Sequence, residues 1–180
     1  SQHSLGLGIS AFEIDLFGRL ASLTRAEQAR LLGTEAAARA TKLALVSDIA
    51  EAWLTLAADR SLLRIAEETV INADRSVFLK RARLEGGVIS RIDVRQAEQI
   101  LETAKADVAS LKTAVAQDAN LLQLLVGAPV DEANLPPSIE AVAPHIGSLP
   151  AGLDSQILLR RPDVVQVEYD LRAANAEIGA

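Results

Sequence analysis

Two long stretches of this 180-residue chain contain almost no helix-breaking residue, and this constrains the fold more than any other feature. Residues 19–85 hold no proline and a single glycine, Gly33, and residues 88–126 hold neither. Glycine weakens a helix because it is flexible, and proline because it cannot donate the backbone hydrogen bond. Gly86 and Gly87 separate the stretches. The sequence therefore predicts two long helices joined by a tight turn.

Both stretches carry residues at alternating spacings of three and four, which is the pattern of a coiled-coil seam. The seam of the first stretch consists of Ile49, Ala52, Leu56, Asp59, Leu63, Ala66, Val70, Ala73 and Val77. The seam of the second consists of Val94, Ala97, Leu101, Ala104, Val108, Leu111, Val115, Asp118, Leu122 and Leu125, and it is broken at Asp118. Two seams joined by a short turn predict an antiparallel hairpin. The hairpin is expected to be elongated, since its first helix would span roughly 100 Å at 1.5 Å per residue.

The two ends of the chain have a different character. Residues 1–12 alternate apolar residues with small ones, which predicts the end of a β-strand. All six prolines lie between Pro129 and Pro162, and Pro162 stands where the first turn of a helix tolerates it. The chain has no methionine, so we expect a piece of a longer protein. The predicted fold is all-α apart from the strand remnant, in four segments: strand 1–12, hairpin 13–127 with its tip at 86–90, Pro-rich linker 128–152, and C-terminal helix within 153–180.

Composition argues against several classes of function. The formal net charge of -6 disfavours a nucleic-acid binder, which usually carries a basic surface. The chain has no cysteine and only His3 and His145, so we expect no metal site, no cofactor and no catalytic thiolate. Residues 6–11 fit the dinucleotide pattern G-x-G-x-x-A, but a helix twice the length of the usual βαβ unit follows them. We therefore predict that the protein is not an enzyme.

The turn between the helices is the most informative segment. Gly86 and Gly87 are expected to supply the positive φ that ends a helix. Ser90 is placed to cap the next helix, with Asp93 completing a capping box. Turn geometry alone would account for these four residues. The neighbouring Val88, Ile89 and Ile92 put apolar side chains at the exposed end of a long hairpin, which indicates a contact surface.

Several segments, in this order, resemble the outer membrane factor family, the TolC-like channels of Gram-negative efflux and secretion systems. Residues 12–20 (FEIDLFGRL) are similar to the signature where a barrel strand becomes a helix, with Phe12 in place of the common Trp. The tip resembles the family's at Arg83, Leu84, Gly87, Val88, Asp93 and Val94, whereas Gly86 departs from it. Three further segments match: 93–98 (DVRQAE), 121–127 (LLQLLVG), and 149–153 with 158–163 (LPAGL and LLRRPD), the last typical of the OprM/NodT-type efflux lipoproteins.

The resemblance implies a function for the chain. It would be the periplasmic, tunnel-forming part of the first repeat of an outer membrane efflux channel, which is a homotrimer at full length. The partners would be a periplasmic adaptor protein and, through it, an inner-membrane pump that exports drugs or other toxic small molecules. The adaptor would dock on Arg83, Leu84, Gly86, Gly87, Val88 and Ile89. Ser90 and Asp93 would serve either as a gate that holds the tunnel shut or as caps.

A second interpretation stays open. Periplasmic adaptors and other scaffolds also carry long antiparallel hairpins, without channel activity. The absence of flanking strands of the adaptor type and the segment 12–20 argue against this alternative.

Overall fold

The computed structural model describes residues 18–148 and 150–179, and four α-helices account for most of them. They are α1 (Arg19–Glu85), α2 (Arg91–Val126), the single turn α3 (Ile139–Val142) and α4 (Pro162–Glu177). Short 3-10 helices lie at Glu132–Asn134, Ala143–His145 and Ser155–Arg160. The prediction of a helical hairpin followed by a short terminal helix is confirmed. The predicted strand remnant at residues 1–12 lies outside the described residues, and the four-segment division stays a prediction.

The chain divides into two compact units. One unit runs from Ala44 to Pro150, and the other combines Ser1–Leu43 with Ala151–Ala180. None of the helices in the described part of the chain combines the length and the apolar character that crossing a membrane requires.

The first unit contains the hairpin, in which α2 packs antiparallel against the second part of α1. Near the turn, Ala73 and Val77 pack with Ala97 and Leu101. At the far end, Ala52 and Leu56 pack with Leu122. Every predicted seam residue of both helices is buried or half-buried. The seam prediction is therefore confirmed, and alanine at many seam positions lets the two backbones approach closely.

The Pro-rich linker packs along α1 through hydrogen bonds from side chains of the helix. Arg60 Nη1 donates to the carbonyl oxygen of Pro136 at 3.1 Å, and Arg60 Nη2 donates to Glu132 Oε1 at 2.6 Å. Trp53 Nε1 donates to the carbonyl oxygen of Asn134 at 3.0 Å. The bonds to Pro136 and Asn134 satisfy backbone carbonyls of an irregular segment, and all three bonds tie this segment to the helix.

Glu140 on α3 is held by hydrogen bonds from two side chains of α1. Ser61 Oγ donates to Glu140 Oε2 at 2.7 Å and accepts from the backbone N–H of Ile139 at 3.0 Å. Arg64 Nη2 donates to Glu140 Oε1 at 3.2 Å. The hydrogen bond from Ser61, followed by those from its own backbone N–H and from Ser138, lowers the pKa of Glu140 to about 2.

In the second unit, α4 lies against the N-terminal part of α1. A β-carbon at Gly33 would lie 3.0 Å from Asp170 Oδ1 and 3.5 Å from Tyr169 Cβ, so the two helices meet closely at this glycine. Arg30 and Glu177 form an ion pair between the same helices. Pro162 begins α4, as its position in the sequence predicts.

Candidate functional site

The turn at the end of the hairpin has a defined backbone conformation. α1 ends at Glu85, and Gly87 has φ 71°. The N–H of Gly87 donates to the carbonyl of Leu84 at 2.9 Å, and the N–H of Val88 donates to the carbonyl of Arg83 at 2.9 Å. This pair of bonds around a left-handed glycine is the Schellman motif, which satisfies the last carbonyls of a helix. These hydrogen bonds therefore fix the backbone of the tip where α1 ends.

The two glycines of the turn have different roles. Gly87 has a positive φ, a conformation that glycine adopts without steric cost. Gly86 has none, and its N–H still donates to the carbonyl of Ala82 at 3.0 Å, as in a helix. The prediction that both glycines supply a positive φ is wrong for Gly86. A helix needs only one left-handed residue to terminate, and Gly87 provides it.

Ser90 and Asp93 begin α2 with a reciprocal pair of hydrogen bonds. The N–H of Asp93 donates to Ser90 Oγ at 3.3 Å, and the N–H of Ser90 donates to Asp93 Oδ2 at 2.9 Å. Ser90 Oγ also donates to Asp93 Oδ2 at 2.7 Å. The hydrogen bonds from the Ser90 side chain and then from its backbone lower the pKa of Asp93. The arrangement is a capping box, so each residue has a structural role at this end of the helix.

Apolar side chains at the tip remain open to solvent. Val88 is 75% exposed and Ile92 is 69% exposed, whereas Leu84 and Ile89 are half-buried. Arg83 is exposed beside them. Two exposed β-branched residues on a backbone fixed by a Schellman motif and a capping box form a preorganised apolar surface. Such a surface can bind a partner with little loss of conformational entropy.

Charged side chains near the turn connect α1 to α2. The sequence alone does not point to a role for them. Arg81 Nη2 lies 2.7 Å from Glu98 Oε1, and Arg95 Nη1 lies 2.8 Å from Glu98 Oε2. Lys80 Nζ donates to the backbone carbonyl of Asp93 at 3.3 Å. The hydrogen bonds from Arg81 and then Arg95 lower the pKa of Glu98. Val77 and Ala97 pack in the same cluster of the seam. This antiparallel register places Arg81 near Glu98, and it is the signal from which their ion pair could have been predicted.

The described residues contain no group of three or more histidine, aspartate or glutamate side chains arranged to hold a metal ion. What the tip offers to a partner is apolar side chains, a fixed backbone and paired charges.

Comparison with known proteins identifies the chain's family. The model of the outer membrane efflux protein family matches residues 1–128. The chain belongs to this family. TtgC of Pseudomonas putida, a probable efflux pump outer membrane protein, is 43% identical over 180 residues, which is 100% of this chain and 37% of TtgC. CusC of Escherichia coli, a cation efflux system protein, is 39% identical over 181 residues, which covers 99% of this chain and 39% of CusC.

Solved structures of efflux proteins share the fold. A crystal structure of CusC superposes with a TM-score of 0.86 at 38% identity, covering 94% of this chain and 39% of that one. The open state of the MtrE outer membrane channel of Neisseria gonorrhoeae gives a TM-score of 0.75 at 30% identity, covering 92% of this chain and 37% of that one. The chain thus spans less than two fifths of these efflux proteins.

Family membership decides two of the questions that the sequence raises. The outer membrane efflux proteins are transport proteins, so the prediction that this chain is not an enzyme is confirmed. The same match favours the channel interpretation over the hairpin scaffold.

Proposed function

We propose that this chain is the periplasmic, tunnel-forming part of an outer membrane efflux channel. The channel would work with an inner-membrane pump and a periplasmic adaptor to export drugs or other toxic small molecules. The observation that carries the proposal is the match of the whole hairpin to efflux proteins in sequence and in fold. Relatives are named for the efflux of toluene and of cations, so the substrate class proposed here is broad.

The adaptor would dock on the tip of the hairpin. Arg83, Leu84, Gly86, Gly87, Val88 and Ile89 form the proposed docking surface, as the sequence predicts. Its exposed apolar residue Val88 and the neighbouring Ile92 support the proposal, because burial of apolar side chains is the main favourable term in most protein–protein association. The Schellman motif and the capping box hold this surface ready for contact.

Ser90 and Asp93 are proposed to act first as caps of α2, because their hydrogen bonds are directed at each other and at the helix start. A gate that holds the tunnel shut would require Asp93 to bind a neighbouring helix as well. That role stays a prediction.

A homotrimer of the full-length protein is proposed as the working assembly. Large apolar side chains outside the hairpin seam support lateral packing, since Leu62, Phe78, Ile100 and Leu124 are exposed. Burial of such side chains against a neighbouring subunit would favour association.

An accumulation assay tests the proposed function. Cells that lack the protein carrying this chain should retain more of a fluorescent efflux substrate than the parent strain. Re-expression of the wild-type protein should restore export. Unchanged accumulation in the deletion strain, with no other outer membrane efflux protein present, would contradict the proposal.

A further inference from the structure

Two aspartates occupy seam positions in the middle of the hairpin, where the heptad pattern favours apolar side chains. Asp59 of α1 follows Leu56 along the first seam, and Asp118 of α2 precedes Leu122 along the second. Leu56 and Leu122 are buried together in one apolar cluster, and both aspartates are half-buried. Two carboxyl groups therefore lie on facing helices at the edge of an apolar core.

Asp118 has a buried oxygen that the surrounding residues do not satisfy. Within residues 18–148 and 150–179, Asp118 Oδ2 is a buried side-chain oxygen without a hydrogen-bond partner. Burial raises the pKa of Asp118, and the carboxyl group of Asp59 raises it further. Two carboxyl groups can share a hydrogen bond only when one of them is protonated. A proton on Asp118 would thus satisfy both groups.

Nearby cations are engaged with other carboxylates. Arg60 is next to Asp59 in sequence but donates to the linker, and Lys112 lies on α2 six residues before Asp118. The ion pairs around this level are Arg60 with Glu132, Arg64 with Glu140 and Lys112 with Glu67. The charge that acts on Asp118 is that of Asp59.

We propose that Asp59 and Asp118 share one proton and make the middle of the hairpin sensitive to pH. With the proton bound, the two carboxyl groups hold α1 and α2 together across the seam. When the proton leaves at higher pH, two negative charges face each other at the edge of the apolar cluster and weaken the contact between the helices. The inference rests on the hairpin's own geometry and holds whether or not the proposed function is correct.

The sign of the pH dependence follows from the direction of the shift. The pKa of Asp118 in the folded hairpin lies above its ordinary value of 3.8. The pair therefore stabilises the folded hairpin fully below pH 3.8. This stabilisation is lost as the pH rises through the raised pKa of Asp118. Asp93, Glu98 and Glu140 have lowered pKa values and act in the opposite direction. A comparison of variants separates the two effects.

Urea unfolding from pH 4 to pH 7.5 tests the pair, using the variants Asp118→Asn and Asp59→Asn. The matched control is Asp107→Asn, at an exposed position on the same helix as Asp118. An asparagine at position 118 can donate to Asp59 as a protonated aspartate would. We expect Asp118→Asn to unfold at a higher urea concentration than the wild type at pH 7.5, with an advantage that shrinks toward pH 4. The equilibrium constant should change tenfold per pH unit in the window where only the unfolded state is ionised. An advantage that is independent of pH, or one that Asp107→Asn shows equally, would overturn the proposal.

Titration of the carboxyl carbons by NMR provides a readout that does not depend on unfolding. We expect Asp118 to titrate above its ordinary pKa of 3.8, and its midpoint to fall when Asp59 is changed to Asn. A midpoint for Asp118 at or below 3.8, or one that Asp59→Asn leaves unchanged, would show that the two groups do not share a proton.

Discussion

At the scale of the residue, the two adjacent glycines of the turn adopt different backbone conformations. Gly87 adopts the left-handed conformation, and Gly86 remains in the last turn of the helix. The sequence predicts that a glycine ends the first helix, but it does not say which one. The hydrogen bonds of the Schellman motif decide this, and they depend on where the helix stops.

Alanine at each glycine gives a matched pair of variants. A β-carbon at Gly86 would meet only ordinary contacts, at 3.6 Å or more, so Gly86→Ala should stabilise the protein by about 0.4–1 kcal/mol. Gly87→Ala should destabilise it by about 1–2 kcal/mol, because alanine must then adopt a left-handed conformation. Denaturant unfolding followed by circular dichroism measures both changes. Equal effects at the two positions would contradict the assignment of Gly87 as the left-handed residue.

The capping box gives a second prediction at this scale. Ser90→Ala removes the acceptor for the N–H of Asp93 and should cost about 1 kcal/mol of stability. Ser90→Asp should retain most of the stability, since aspartate also caps helices well. The same unfolding measurement compares the three proteins, and a Ser90→Ala variant as stable as the wild type would show that the box contributes little.

At the scale of the element, periodicity predicted the hairpin well. The seams, the length of α2 and the start of α4 at Pro162 all follow from the spacing of apolar residues and from the positions of glycine and proline. The contacts of the linker could not be predicted in the same way. Arg60, Ser61 and Arg64 look like an ordinary polar face of α1, and only the fold brings Glu132 and Glu140 to them.

The linker should detach from α1 at acid pH. The pKa of Glu140 is lowered from 4.5 to about 2. The stabilisation that its carboxylate gives to the contact between the linker and α1 is therefore fully present above pH 4.5 and is lost as the pH falls toward 2. Trp53, the single tryptophan of the chain, bonds to the linker and reports on its release. Its fluorescence should shift to longer wavelength as the pH falls. Glu140→Gln should show the shifted emission already at neutral pH.

Glu68→Gln is the matched control for Glu140→Gln. Glu68 pairs with the same Arg64, at 3.1 Å, but within α1 and not across to the linker. Its removal should therefore leave the emission of Trp53 at neutral pH unchanged. Identical spectra for the two variants would show that Glu140 does not hold the linker.

At the scale of the whole molecule, each compact unit has its own packing. The hairpin unit depends on the two seams, whereas α4 in the other unit depends on the close approach at Gly33. The sequence marks Gly33 as the one glycine in 67 helical residues, but it does not show which element lies against it. That partner is α4, which is more than 120 residues away in the chain.

A larger side chain at Gly33 should loosen α4 alone. Gly33→Leu places atoms where Asp170 and Tyr169 lie, so α4 should lose protection in amide hydrogen exchange. The helices of the hairpin should keep theirs. Ala38→Leu, at an exposed position of the same helix, is the control and should leave α4 protected. Equal protection of α4 in both variants would contradict the packing described for this unit.

Site-specific crosslinking tests whether the hairpin tip is the docking surface of an efflux channel. This chain contains no cysteine, so Val88→Cys and Leu124→Cys each place one thiol in this part of the protein, at positions 75% and 76% exposed near opposite ends of α2. Each variant is expressed in its parent cells and crosslinked in the intact periplasm. We expect a periplasmic adaptor to be captured at position 88 and not at position 124. Capture of no adaptor at position 88 in a correctly exported protein, or equal capture at both positions, would contradict this role of the tip.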